Sequence, residues 1–133
     1  MNETVIEALR AHGIQPSAQR VAVAEYALLT DEHPSADQVW SRVRESFPMI
    51  SRATVYNTLN LFVAKGLLMP LVLAEGKIVF DPKIERHHHF IDEETGSIHD
   101  VAWSDLEVKN IKALRDFDVR EYQVVLRGRR QKP

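Results

Sequence analysis

Ser51-Arg52-Ala53-Thr54-Val55-Tyr56-Asn57-Thr58-Leu59-Asn60-Leu61-Phe62-Val63-Ala64-Lys65-Gly66 is the stretch on which the fold turns. Ser51 is a residue type that accepts hydrogen bonds from a helix's first turn, and Gly66 suits the left-handed residue that ends one. Between them Val55, Leu59, Phe62 and Val63 form one apolar stripe at helical spacing. Arg52, Thr54, Tyr56, Asn57, Asn60 and Lys65 lie largely off that stripe. Such an outer face is either simply solvated or a row of groups suited to base edges, thymine methyls and phosphates.

Upstream, residues 2–12 place Val5, Ile6 and Leu9 at helical spacing before Gly13. Pro16-Ser17 opens a second helix to about residue 29. Ser35 with Gln38 forms a capping box for a third, which turns Val39, Val43 and Trp40 inward and stops before Pro48. Downstream, two short strands at about 67–73 and 77–80 flank Ala74-Glu75-Gly76. Helices followed at once by a strand ribbon predict a winged helix-turn-helix, and this order tilts the outer face of the fourth helix toward DNA.

A second unit is expected after a hinge, dividing the chain into residues 1–81 and 82–133. It opens with Arg86-His87-His88-His89-Phe90, read as a strand, followed by the turn Asp92-Glu93-Glu94-Thr95-Gly96 and a second strand at 97–103. Side chains alternate along a strand, so His87 and His89 share one face and His88 the other. A four-residue hairpin loop sets Asp92 against Ser97, His89 against Asp100 and Phe90 against His99. Two imidazoles and a carboxylate then share a face, a donor set for a divalent transition metal. The same triad could serve a metalloenzyme, but no general base or second cleft motif accompanies it. A helix at about 105–114, capped by Ser104 with Glu107, and a strand at about 117–126 complete an α+β fold. The small sheet leaves an apolar face to cover, which predicts a homodimer.

The totals set limits. The formal net charge is −2 over 133 residues, and the halves split at Pro70 carry 6 Lys and Arg against 7 Asp and Glu, then 11 against 12. A nucleic-acid surface must therefore be a local patch. The basic tail Arg127-Gly128-Arg129-Arg130-Gln131-Lys132 is expected to be solvated. No apolar run reaches the roughly 20 residues that span a bilayer, and no signal peptide is visible, so a cytoplasmic location is expected without membrane attachment. Cysteine is absent, which removes thiol redox chemistry and zinc–thiolate sites.

His33-Pro34-Ser35-Ala36-Asp37, Arg52-Ala53-Thr54-Val55-Tyr56-Asn57-Thr58-Leu59, Phe80-Asp81 and His87-His88-His89 together resemble the Fur family of metal-dependent repressors, in order and spacing from about residue 5 to 126. The resemblance implies a winged-helix DNA-binding domain followed by a small α/β dimerisation domain. It implies regulatory ligands His33, Asp81, His87, His89 and Asp100, with Fe(II) or Mn(II) as the ion and Zn(II) a possible occupant of purified protein. It also implies DNA contacts from Arg20, Arg52, Thr54, Tyr56, Asn57 and Lys65 to a palindromic operator. The family's paired cysteine motifs have no counterpart here, the first falling at Asp92 and Thr95, so no structural zinc is expected. A second metal or haem site, from His88, His99 and Glu107, would be incomplete because Arg86 replaces a ligand. Asp100, where iron sensors of the family carry Glu, resembles the peroxide sensors, in which the residues at His33 and His87 are the ones oxidised. The alternatives are a haem-responsive iron regulator or an iron- or manganese-responsive repressor.

Overall fold

The computed structural model describes residues 2–73 and 76–131. The chain divides into two compact units, Met1–Ile84 and Glu85–Pro133.

In the first unit, α1 (Glu3–Ala11), α2 (Ala18–Ala27), α3 (Ala36–Val43) and α4 (Arg52–Ala64) precede the ribbon β1 (Met69–Val72) and β2 (Ile78–Asp81). Each helix begins on a side-chain cap, from Asn2, Ser17, Ser35 and Ser51 in turn. The capping box is complete: Gln38 N–H donates to Ser35 Oγ at 3.2 Å, and Ser35 N–H donates to Gln38 Oε1 at 2.7 Å. Gly13 and Gly66 follow α1 and α4 with φ of 74° and 82°, the left-handed region that glycine enters without a Cβ clash. Val55, Leu59 and Phe62 are fully buried among Val5, Leu9, Val23, Val39 and Val43, whereas Val63 packs only partly. Thr58 joins the buried side of α4 by donating its hydroxyl to Thr54 O at 2.7 Å. Trp40 is half-buried, its Nε1–H donating to Ile50 O.

β1 and β2 pair antiparallel, Met69 against Asp81 through Val72 against Ile78. β1 is shorter than expected and β2 is shifted by one residue, while Ala74 and Glu75, expected between the strands, lie outside the described residues. β2 is tied to the start of α3 through Phe80 N–H donating to Pro34 O at 2.9 Å. That tie brings residue 81 beside residue 33, although 48 positions separate them.

In the second unit the sheet order is β4-β3-β5, built from β3 (His87–Asp92), β4 (Ile98–Ala102) and β5 (Val125–Gly128). β3 and β4 pair in the register expected from loop length, with His89 against Asp100 and Phe90 against His99. Asp92 N–H donates to Ser97 O at 2.9 Å, closing the loop. β5 runs parallel to β3, with His89 against Val125 and Asp92 against Gly128.

Two expectations are corrected here. The helix at 105–114 is not formed. Trp103–Asp105 and Ile111–Ala113 are single 3₁₀ turns, Leu106 is extended, and Asn110 sits at φ 68°. Ser104 and Glu107 mimic a capping box, but an extended residue and a left-handed one prevent the i→i−4 ladder between the turns. The last strand is Val125–Gly128 and not 117–126, because the charged and polar residues from Asp118 to Gln123 lack the alternation that a half-buried strand requires. The tail's first two residues, Arg127 and Gly128, are consequently strand residues.

The Asp92 carboxylate organises the hairpin loop. It accepts from the N–H groups of Glu94 at 2.9 Å and Thr95 at 3.3 Å. Burial pushes its pKa up, but the hydrogen bonds from Glu94 and Thr95 and the nearby His99 outweigh that and hold the carboxyl below its usual value of 3.8. A lowered folded-state pKa gives a stabilisation that is complete above the unfolded-state pKa and is lost as pH falls through the folded one. Asp92→Asn should therefore be less stable than the parent at pH 7, with the difference closing in acid below about pH 4. Urea midpoints across that range read this directly, and parallel curves would remove Asp92 from the acid response.

Candidate metal centre and nucleic-acid interface

β3 places His87 and His89 on one face, with ring centroids 4.5 Å apart. The register brings Asp100 of β4 opposite them, and both imidazoles converge on one oxygen. His87 Nε2 lies 3.5 Å and His89 Nε2 3.6 Å from Asp100 Oδ1. The two histidine side chains are 1% exposed and that of Asp100 is 32% exposed.

The far side of each ring is held as well. His87 Nδ1 bonds the Glu85 carbonyl, and His89 Nδ1 bonds Gln123 Oε1 at 3.0 Å. An oxygen acceptor at Nδ1 requires the proton there, which leaves the Nε2 lone pair of the neutral ring pointing toward the carboxylate. This outer-shell arrangement orients histidines for metal ligation. Gln123 was not singled out from the sequence, since only the β5 pairing brings it to His89. Gln123→Ala should lower Mn(II) affinity by about 10- to 100-fold with little effect on folding. Competition against a chromophoric chelator measures it, and an unchanged affinity would show that Gln123 does not orient the ring.

In the first unit, His33 and Asp81 form a second buried pair, with Nε2 and Oδ2 3.1 Å apart and each side chain 4% exposed. Asp81 Oδ1 accepts from Lys83 N–H at 2.9 Å. His33 adopts φ 52°, which among non-glycine residues is uncommon and costs about 1–3 kcal/mol. Imidazole and carboxylate donors in both units are the chemistry that first-row divalent ions accept.

His88 is on the opposite face. It is buried and stacks on Trp103 at 4.6 Å and 15°, with Tyr122 6.4 Å away. Val124 N–H donates to its Nδ1 at 2.9 Å, so the neutral ring carries its proton on Nε2. In that tautomer the hydrogen bond from Val124 occupies the Nδ1 lone pair. His99 packs against Phe90, and Glu107 is exposed. Among the described residues, His88, His99 and Glu107 are not gathered into a ligand group.

The outer face of α4 presents Arg52, Tyr56, Asn57 and Asn60 to solvent, with Lys65 at its C-terminal cap. Thirteen residues rise about 20 Å, which sets Arg52 and Lys65 at opposite ends of the helix. Arg20 lines a cleft of about 470 Å³ together with Thr54 and Asn57, and donates to Gln15 O at 3.0 Å. Tyr56 and Arg52 both meet Asp37 of α3, at 3.4 and 3.6 Å. Asp37, Trp40 and Arg44 were not singled out as interface residues from the sequence; helix packing brings Asp37 and Trp40 to α4, and Arg44 lies over the Trp40 ring.

Residues 11–127 match the family model of the ferric uptake regulator family. This chain belongs to the ferric uptake regulator family. A peroxide-responsive repressor, PerR, of Staphylococcus aureus is 33% identical over 128 residues, which cover 95% of this chain and 86% of that protein. Among solved structures, a ferric uptake regulator from Pseudomonas aeruginosa with manganese superposes with a TM-score of 0.70 at 25% identity, covering 96% of this chain and 98% of that one. A peroxide stress regulator from Campylobacter jejuni gives 0.67 at 23% identity, covering 99% and 98%, and speaks to the fold. As a member of the ferric uptake regulator family the chain is a transcription regulator and not an enzyme. No helix among the described residues is long and apolar enough to cross a membrane.

Proposed function

We propose that this metal-dependent repressor senses peroxide, with His33, Asp81, His87, His89 and Asp100 as its regulatory ligands. The observation that carries the reading is the convergence of two buried imidazoles on the Asp100 carboxylate, with both outer nitrogens occupied by acceptors. The name of the Staphylococcus aureus relative supports the choice of signal. The donor set fits Fe(II) or Mn(II), and Zn(II) would compete for it in purified protein.

Bound at this centre, Fe(II) supplies an electron source for hydrogen peroxide that Mn(II) and Zn(II) do not. The protein's part is to hold imidazoles beside that reaction and to lose ligand quality when one is oxidised. Ligands drawn from both units would couple metal occupancy to DNA affinity as a reciprocal free energy. The reader is the outer face of α4, with Arg20, Arg52, Thr54, Tyr56, Asn57 and Lys65 as DNA contacts. Among the described residues of the second unit, those buried are His87, His88, His89 and Asp92, while Leu114, Phe117 and Tyr122 are exposed. A sheet with so little buried apolar surface is stabilised by a second copy, and a two-fold homodimer suits a palindromic operator.

Anaerobic protein loaded with Fe(II) and treated with stoichiometric hydrogen peroxide should gain one oxygen on His33 or His87, mapped by peptide mass spectrometry. The Mn(II)-loaded protein should not. Iron-loaded protein without histidine oxidation would sink the peroxide reading and leave iron or manganese as the signal.

A further inference from the structure

The guanidiniums of Arg44 and Arg52 both lie over the Trp40 indole, 4.3 and 4.4 Å from its centroid. Arg44 is the C-cap of α3, Arg52 is the first residue of α4, and Trp40 lies one turn before the end of α3. The indole is itself fixed, through Nε1–H donating to Ile50 O at 3.1 Å. Both arginines are exposed. Two like charges are thus gathered on one rigid aromatic ring beside the reading face, although their mutual repulsion opposes it.

Two contacts offset that repulsion in the free protein. The indole face attracts cations, by about 0.5–1 kcal/mol at an exposed site. Asp37 Oδ1 lies 3.6 Å from Arg52 Nη1, too long for a strong hydrogen bond, so the guanidinium's donors stay available. Among the described residues no carboxylate is seen to accept from both forks, and a phosphodiester oxygen has that chemistry.

We propose that Trp40 is a positioning residue for DNA binding, holding Arg44 and Arg52 as a two-arginine clamp on one backbone phosphate. Arg44 is then a DNA contact in its own right. The proposal rests on the reading of α4 as the DNA-reading helix and adds a phosphate site at the turn between α3 and α4. Stacking restricts the rotamers of both long side chains before DNA arrives, so less freedom is lost on binding.

The test uses full-length Mn(II)-loaded protein and a duplex enriched from random-sequence DNA by the parent protein. Failure to enrich any duplex would overturn the DNA-binding reading itself, and the clamp with it. Given a duplex, replacing both Arg44 and Arg52 with Ala should lower the slope of log affinity against log salt by about one, because the pair meets one phosphate, and each single Ala variant should weaken binding about 3- to 10-fold. Trp40→Leu should weaken binding about 3- to 10-fold while keeping the slope, since both charges remain. Trp40→Phe should restore part of the loss, and guards against a leucine variant that fails to fold. Trp40→Phe should have no further effect once Arg44 and Arg52 are both Ala. In a Trp103→Phe background, which leaves Trp40 as the sole indole, its emission should shift on duplex addition. Parental affinity in Arg44→Ala, an unchanged slope in the double alanine variant, or an equal Trp40→Phe effect with and without the arginines, would overturn the clamp while leaving α4 as the reader.

Discussion

Asp100→Ala should weaken Mn(II) binding by about 100-fold or more and abolish metal-dependent DNA binding, with the apo fold unchanged. The size follows from position. Loss of an outer-shell partner alone costs about 10- to 100-fold, and Asp100 is the carboxylate on which both hairpin imidazoles converge. The sparing of the fold follows from exposure. At 32% exposed, the side chain fills no core space, and comparable surface changes fall within about 0.5 kcal/mol. Chelator competition and thermal unfolding of the apo form separate the two effects. Near-parental affinity would mean that the metal does not use the hairpin, and a large drop in apo stability would mean that the residue's role is structural. Asp81 is the contrasting case, because its carboxylate is buried beside His33 and its removal would disturb folding and ligation together.

Phe62→Ala should cost about 3–5 kcal/mol of folding stability. Phe62 is a fully buried aromatic side chain in the first unit's core, on the same α4 stripe as Val55 and Leu59. A small domain holds only about 5–15 kcal/mol in total, so the variant should approach its unfolding midpoint near body temperature or below. Urea denaturation gives the cost. A value under about 1 kcal/mol would mean that the surrounding helices close around the gap. The same stripe positions the outer face of α4, so DNA binding should decline in step with the folded fraction.

What could be read from the sequence was what local chemistry decides. Ser35 and Gln38 satisfy each other's backbone groups within one turn, so the start of α3 was visible in four residues. The β3–β4 register followed from a loop length, and with it came the meeting of His87, His89 and Asp100. The order of helices and ribbon predicted the winged helix-turn-helix. The failures have the opposite character. Ser104 and Glu107 satisfy the same local rule as Ser35 and Gln38, yet Asn110 turns left-handed and no helix follows. β5 pairs in parallel with β3, so its limits depend on a partner more than thirty residues away. The pairing of His33 with Asp81 was reached only through family resemblance, because the Phe80–Pro34 backbone bond that makes them neighbours leaves no mark on either side chain. Gln123, Asp37, Trp40 and Arg44 are ordinary surface residues until packing places them.

The loop that Asp92 closes has a practical meaning for anyone weighing ions in this protein. Oxygen and backbone nitrogen do the fastening there, in a chain without a single sulfhydryl. A strong chelator should therefore empty the proposed centre without loosening the hairpin, leaving a folded protein that can be refilled with a different ion. Elemental analysis before and after chelation should then show the metal-to-protein ratio falling toward zero, and a residual ion would mark a second site.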